Sequence, residues 1–317
     1  MIRIRSLGLL LTYKCNAKCQ HCAYACGPKF KGKMEVKDAE NYIEQVKDDL
    51  EVVCISGGEP FIYYDTLVKV VESAARVGVS SIWVFTNGFW AQTDDVVREK
   101  LVPLKKKGVT KMIFSVDAYH QEFVPLEFVE RAIQITMELG IDTEVDARFL
   151  GLPSAKNSQN LTTKRLLQQL HPLKVEIYES QPWYVGRAAE LLSHYVERKF
   201  GLPLEKCDKI WSLGDLMKPE GVDIDQYGNV MVCPGISVGN ANKKAFSDIV
   251  RCYDYRENPI IRAIAEGGPT ELVEKAKGKG YFPQEGYINK CHLCYDVRKF
   301  LRPYYPEILT PRNCYTT

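Results

Sequence analysis

The chain has 317 residues, 45% of them hydrophobic and 26% charged, and its 42 Lys+Arg against 40 Asp+Glu leave a formal net charge of +2. That is the composition of a globular protein, with length for one large domain and a small appendage. It carries neither the basic excess of a nucleic-acid binder nor the acidic excess of a disordered chain.

The first element is the apolar run at 6–12, SLGLLLT. It is too short to cross a bilayer and lacks a small-residue cleavage site, so it reads as a buried strand. No other segment reaches membrane-spanning length, and the expected location is the cytoplasm, with no membrane partner. Five more apolar runs follow, at 52–58, 81–88, 111–117, 142–151 and 174–178. Between them the 3.6-residue period predicts helices over 36–50, 64–77, 94–107, 126–139 and 162–170, with Gly78, Gly108 and Gly140 at three of the helix ends. Lys105 to Lys107 fit a solvated helix C-terminus. Strands alternating with helices imply right-handed parallel βαβ units, closed either as an open doubly wound sheet or as a barrel. Both place a site at the C-terminal ends of the strands. After residue 180 the pattern changes. A helix is expected over 188–200, then a hairpin over 222–233 turning at Tyr227-Gly228-Asn229, then an irregular stretch rich in Gly, Pro and Cys. That stretch reads as a small metal-stabilised module.

Eleven cysteines are many for a cytosolic chain. Reduced, they point to metal or catalysis, not to disulfides. Four fall between Cys15 and Cys26, and Cys291 and Cys294 form a tight pair. The loop after the first strand reads Cys15-x-x-x-Cys19-x-x-Cys22. Thiolates are soft ligands suited to iron–sulfur clusters, and three of them leave one iron of a four-iron cluster open to a substrate. A zinc loop completed by His21 or Cys26 is the alternative reading of the same spacing.

The C-x-x-x-C-x-x-C spacing, with Gly57-Gly58-Glu59-Pro60 after the second strand, resembles the radical SAM superfamily. The resemblance implies a partial (β/α)6 TIM-type barrel over 1–200, followed by a small irregular Cys-rich α+β module over 201–317. It implies that Cys15, Cys19 and Cys22 hold a 4Fe–4S cluster. The Gly57, Gly58, Glu59, Pro60 motif would take the amino group of S-adenosylmethionine, with Glu59 accepting from the ammonium. Asn87, in Thr86-Asn87-Gly88, would lie near the adenosine, Ser115 and Asp117 near the ribose or the carboxylate, and Arg148 would pair with that carboxylate. Gly228-x-x-x-x-Cys233 and Cys291-x-x-Cys294 resemble a SPASM or twitch extension. This implies an auxiliary 4Fe–4S cluster on Cys207, Cys233, Cys291 and Cys294, with Cys252 the substitute for Cys207 and a zinc module the alternative.

Of the remaining thiols, Cys54 reads as a small buried hydrophobe and Cys314 as part of a loose terminus. Cys26 and Cys252 are the candidate hydrogen-atom donors to a substrate radical. By resemblance the activity is reductive cleavage of S-adenosylmethionine to a 5′-deoxyadenosyl radical, which takes a hydrogen atom from a C–H bond. An oxidoreductase or epimerase acting on a peptide leads. A small-molecule dehydrogenase and a non-catalytic iron–sulfur or zinc protein are the rivals. An electron donor such as a flavodoxin or ferredoxin is an implied partner. The barrel starts almost at residue 1, so no leader-binding domain is expected. Gln181-Pro182-Trp183-Tyr184 and the segment 117–122 read as rims of a peptide-sized opening.

Overall fold

The computed structural model describes residues 2–207 and 213–316, and the chain divides into two compact units. One comprises Gly8–Cys19 and Cys26–Pro182, the other Met1–Leu7, Gln20–Ala25 and Trp183–Thr317. The division falls at Trp183, where sequence reading placed it at residue 201, and the short segment Gln20–Ala25 goes with the later residues.

The first unit holds six strands in the order β1 (Ser6–Leu10), β2 (Val52–Ser56), β3 (Ser81–Thr86), β4 (Lys111–Ser115), β5 (Asp142–Arg148) and β6 (Glu176–Ser180). From β2 to β6 each pairs in parallel with the next, for example Val84 with Met112 and Phe114 with Val145. The helices α1 (Val36–Glu44), α2 (Tyr64–Arg76), α3 (Asp94–Lys107), α4 (Leu126–Glu138) and α5 (Ser158–Leu170) provide the crossovers. This is the expected partial TIM-type barrel. Its core is built by both periods: Val53, Ile55, Val84, Met112, Phe114 and Val145 from the strands are fully buried. They meet one face of each helix, such as Leu67, Val70, Val71 and Ala74 of α2. Thr93 caps α3 by accepting from Val96 N at 3.4 Å, and Gly108 ends it. Helix α1 stops at Glu44, six residues short of the expected 50.

In the second unit β7 (Lys199–Phe200) pairs antiparallel with β11 (Gly286–Tyr287). The strands β8 (Gly221–Asp225), β9 (Asn229–Cys233) and β10 (Ile236–Asn240) form a meander. The turn between β8 and β9 is the expected one. Asp225 Oδ1 accepts from Tyr227 N and Asn229 N, both at 2.9 Å. Four helices follow: α6 (Phe246–Arg251), α7 (Pro259–Gly267), α8 (Pro269–Lys277) and α9 (Lys290–Leu301). The helix expected over 188–200 is replaced by a π turn at Ala188–Leu192 and a 3-10 turn at Ser193–Tyr195. Lys199 and Phe200 are drawn into the ladder with β11, and a pairing with residues so distant overrides the local helical pattern. Among the described residues no helix is long and apolar enough to cross a membrane.

Candidate active site

Strand β1 delivers Thr12-Tyr13-Lys14 to its C-terminal end, directly before Cys15. The end of β2 lies flat against this exit. Gly58 N donates to Thr12 O at 2.5 Å and Glu59 N to Lys14 O at 3.0 Å. So close an approach requires glycine. A Cβ on Gly58 would stand 2.1 Å from Lys14 O, and one on Gly57, whose φ is +133°, 2.5 Å from Thr12 O. The two glycines therefore let the Gly57–Pro60 turn abut the cysteine loop. Pro60 starts a 3-10 turn, Pro60–Tyr63.

Glu59 has no exposed surface. Its Oε1 accepts from Phe61 N at 3.1 Å and Thr86 Oγ1 at 3.0 Å, and its Oε2 from Asn87 N at 2.8 Å. Burial pushes the carboxyl up to about 7, against the pull of these three donors. Glu59 thus ties the ends of β2 and β3 together. Thr86 Oγ1 also accepts from Gly88 N and from Trp90 Nε1, at 3.1 and 3.0 Å, which fixes the Thr86-Asn87-Gly88 turn. That turn aims Asn87 at the cysteine loop: its Nδ2 lies 2.9 Å from Asn16 Oδ1 and 3.7 Å from Cys15 Sγ. Ala17 N donates to the same sulfur at 3.4 Å.

Asp117, after β4, is also fully buried. Its Oδ1 accepts from Tyr119 N and His120 N, both at 3.0 Å, and its Oδ2 from Arg148 N at 3.3 Å. Both oxygens stand 3.0 Å from His120 Nδ1. His120 in turn hydrogen-bonds Cys19. Burial disfavours the imidazolium, but Asp117 and Cys19 outweigh it and hold the His120 pKa well above the usual histidine value. Asp117 is therefore a positioning group for a histidine that touches a cysteine of the loop. Sequence reading had left His120 as a rim residue; the Asp-x-x-His spacing was its only signal. Ser115 closes β4, half-buried, in register with Asp146 of β5. Arg148 is engaged by Asp146 Oδ2, at 2.6 Å from Nη2 and 3.1 Å from Nε, and by Ser180 Oγ at 2.5 Å. Its guanidinium belongs to this ion pair at the ends of β5 and β6.

Beside the loop opens a cleft of about 540 Å³, lined by Lys14, Cys15, Asn16, Phe61, Phe89 and Trp90 among others. Phe61 and Trp90 stack with ring centroids 4.1 Å apart. Cys15 and Cys19 are 7% and 5% exposed, so their sulfurs are shielded yet bordered by N–H donors. Buried thiols with N–H and imidazole neighbours fit the ligands of an iron–sulfur cluster. Cys22 sits on the segment Gln20–Ala25. Arg187 N donates to its carbonyl at 3.1 Å. Gly186, at φ +56°, passes so near this segment that a Cβ would lie 2.2 Å from Ala23 O. Cys26 is buried where the loop returns, next to Gly27, whose N donates to Tyr13 O at 3.1 Å.

The second unit gathers Cys207, Cys233, Cys291 and Cys294 around one small cavity, with Trp183 and Arg298 in its wall. Burial raises the Cys233 thiol well above its usual value and Cys291 to about 12, and the neighbouring sulfurs push the same way. Cys294 is buried and the other three are half-buried, and four thiols lining one cavity are the donor type that an iron–sulfur or zinc site uses. Cys252, the substitute for Cys207, is instead exposed at the end of α6 and outside this group. Cys314, expected at a loose terminus, is 2% exposed within the turn Arg312–Tyr315. Cys54, expected to be buried, is half-buried. Trp183 lines the four-cysteine cavity and Tyr184 is fully buried, so neither edges a substrate opening. Asp117 and Tyr119 of the other expected rim are likewise buried.

Comparisons with known proteins agree with this geometry. Residues 9–153 match the family described as the Radical SAM superfamily. The chain is 24% identical over 132 residues to YydG of Bacillus subtilis (strain 168), whose name places it in peptide biosynthesis. That match covers 41% of each chain. Identity to the GTP 3′,8-cyclase of Desulforamulus reducens is 25% over 218 residues, 63% of this chain and 65% of that one. Less than two thirds of either relative is spanned. Among solved structures, Streptococcus suis SuiB bound to S-adenosylmethionine superposes with a TM-score of 0.56. It is 14% identical, over 98% of this chain and 77% of SuiB, a likeness of fold. The family match begins at Leu9 and takes in the cysteine loop and the strand ends from β1 to β5, so residues 9–153 form a radical SAM domain.

Proposed function

We propose that the chain reductively cleaves S-adenosylmethionine and uses the resulting radical on a C–H bond of a peptide. The observation that carries this reading is the seating of the Gly57–Pro60 turn against the exit of β1, one residue from Cys15. Cys15, Cys19 and Cys22 would hold a 4Fe–4S cluster with one iron left open. Bound there, cluster and S-adenosylmethionine together supply one-electron cleavage of a C–S bond, and the 5′-deoxyadenosyl radical so released takes a hydrogen atom from the substrate. The chain's own groups do the rest. Asn87 and Ala17 direct N–H groups at Cys15, and His120, aligned by Asp117, does the same for Cys19. Gly57, Gly58, Glu59, Pro60, Asn87 and Ser115 are the residues proposed to bind the cofactor. Asp117 and Arg148 brace the ends of β4, β5 and β6 behind it.

Cys207, Cys233, Cys291 and Cys294 would hold an auxiliary 4Fe–4S cluster of the twitch kind. Cys26 is the proposed hydrogen-atom donor in an epimerisation. It is buried, as a thiol facing a reactive radical needs to be, whereas Cys252 opens to solvent. The peptide reading is supported by the relation to YydG, and a small-molecule substrate by the longer match to GTP 3′,8-cyclase. The electron donor would be a small redox protein of the flavodoxin or ferredoxin kind.

The reading is tested by reducing the reconstituted protein with S-adenosylmethionine and measuring 5′-deoxyadenosine. Its absence overturns the chemistry. Candidate peptides are then turned over in deuterated water. One deuterium at an inverted α-carbon supports epimerisation with a thiol donor, and Cys26→Ala should block it while 5′-deoxyadenosine still forms. A product two mass units lighter and free of deuterium supports dehydrogenation instead.

A further inference from the structure

Helix α9 carries Cys291 and Cys294 near its start and Arg298 one turn beyond Cys294. Among the described residues Arg298 is the largest fully buried side chain, at 0% exposure. Its hydrogen-bond acceptors are all neutral. Nε donates to Cys294 O at 3.3 Å, and Nη1 to Pro234 O at 3.0 Å and to Tyr315 Oη at 3.1 Å. Tyr315 passes the hydrogen bond on to Gly235 O at 2.5 Å. Among the described residues no carboxylate pairs with the guanidinium; the Tyr315 hydroxyl and the sulfurs of Cys294 and Cys233 are the groups around it.

A guanidinium stays charged in any protein, and burial beside neutral acceptors alone is strongly unfavourable. The compensating charge has to come from the cavity it lines, whose other polar groups are the four cysteines and Lys290, a second cation that hydrogen-bonds Lys206 O at 2.9 Å. As thiolates around a 4Fe–4S core the cysteines leave a net negative group facing Arg298. We infer that Arg298 is the built-in counter-cation of the auxiliary cluster: it holds that cluster's reduction potential up and braces the two ligand segments, Cys233–Pro234 and α9, to each other. The inference rests on the auxiliary cluster proposed above. Its physical basis is that an added electron makes the site more negative, and a buried cation a few ångströms away favours the reduced state.

The test compares the full-length, reconstituted wild type with Arg298→Met, which keeps the side-chain length without charge, and Arg298→Lys, which keeps the charge without the fork. Iron is counted first. About eight irons per wild-type chain support two clusters. A wild type that never exceeds about four, or carries zinc in the second site, overturns the auxiliary-cluster reading, and the inference with it. With two clusters present, a redox titration followed by electron paramagnetic resonance should show the auxiliary midpoint moved to lower potential in Arg298→Met. It should stay near wild type in Arg298→Lys, with the cluster on Cys15, Cys19 and Cys22 unmoved in both. An unchanged auxiliary midpoint in Arg298→Met overturns the inference alone. If Arg298→Met fails to take up the second cluster, thermal unfolding of the metal-free chains decides. Loss of an uncompensated charge should raise the Tm of metal-free Arg298→Met above that of metal-free wild type. A lower Tm overturns the inference.

Discussion

Replacing Glu59 by Gln should change how stability depends on pH. Glu59 is fully buried, and its carboxyl titrates at about 7 in the folded chain against an ordinary value of 4.5. The folded state therefore holds this proton over a range where the unfolded state has lost it. Stability drawn from the protonated form is complete below pH 4.5 and is lost as pH rises through 7. At about 1.4 kcal/mol per unit, the group costs about 2–3 kcal/mol between pH 5 and 8. Glutamine cannot ionise and removes this slope. It retains one acceptor oxygen for Phe61 N and Thr86 Oγ1 but turns an amide toward Asn87 N, which leaves that buried donor unpaired at a cost of about 1–3 kcal/mol. Glu59→Gln should thus be clearly less stable than wild type at pH 5 and close to it at pH 8. Urea midpoints measured anaerobically across this range, without S-adenosylmethionine, give the comparison. Asp223, buried and raised to about 6, adds a similar slope to both proteins and cancels in the difference. A wild-type-minus-variant difference that stays flat from pH 5 to 8 would refute the assignment of a protonatable buried Glu59.

Gly58→Ala sets a methyl 2.1 Å from Lys14 O, backbone that cannot yield cheaply, so 5′-deoxyadenosine formation should be lost together with about 2–4 kcal/mol of stability; an active, equally stable variant contradicts the close-approach argument. Replacing Cys15, Cys19 and Cys22 by Ala should abolish cleavage of S-adenosylmethionine and leave about four irons in the second site. Cleavage retained in that variant would end the case for the loop. Cys207→Ala, like the double change at Cys291 and Cys294, should lower iron from about eight to about four, whereas Cys252→Ala should leave it at about eight. Iron analysis that reverses the roles of Cys207 and Cys252 contradicts the four-cysteine cavity.

The barrel was legible because both its periods are strong. Short apolar runs marked β1 to β4 and alternating ones marked β5 and β6, and one-sided apolar faces marked α2, α3 and α4 to within a residue or two. The cysteine loop and the Gly57–Pro60 turn were legible because ligand spacing and paired glycines survive as local patterns. The region 188–200 was not. Its apolar residues recur at helical intervals, but Arg198 turns back toward Ser193 O at 3.5 Å, and the next two residues join β11, 86 positions away by the register of Phe200 with Gly286. No window of local sequence carries that pairing.

What escaped altogether was the role of buried polar groups whose partners come from remote segments. Tyr24 lies between Cys22 and Cys26. In the fold its hydroxyl donates to Asp223 Oδ2 at 2.5 Å on β8, and its carbonyl accepts from Asn313 Nδ2 at 2.8 Å. Burial, then the Asp223 charge, lifts the Tyr24 phenol well above its usual value, so the pair shares one proton-donating hydrogen bond in a dry interior. Together with Arg187 N on Cys22 O and the close pass of Gly186, these bonds fix the backbone from Cys22 to Tyr24. A metal ligand held by its neighbours' backbone needs no distinctive residue of its own, which is why composition and spacing were silent about it. Arg298 is the same case with the sign of the charge reversed. An arginine on an amphipathic helix reads as solvated until the fold removes its water, and only then does the absence of a carboxylate partner among the described residues turn it into a statement about what the four cysteines beside it must carry.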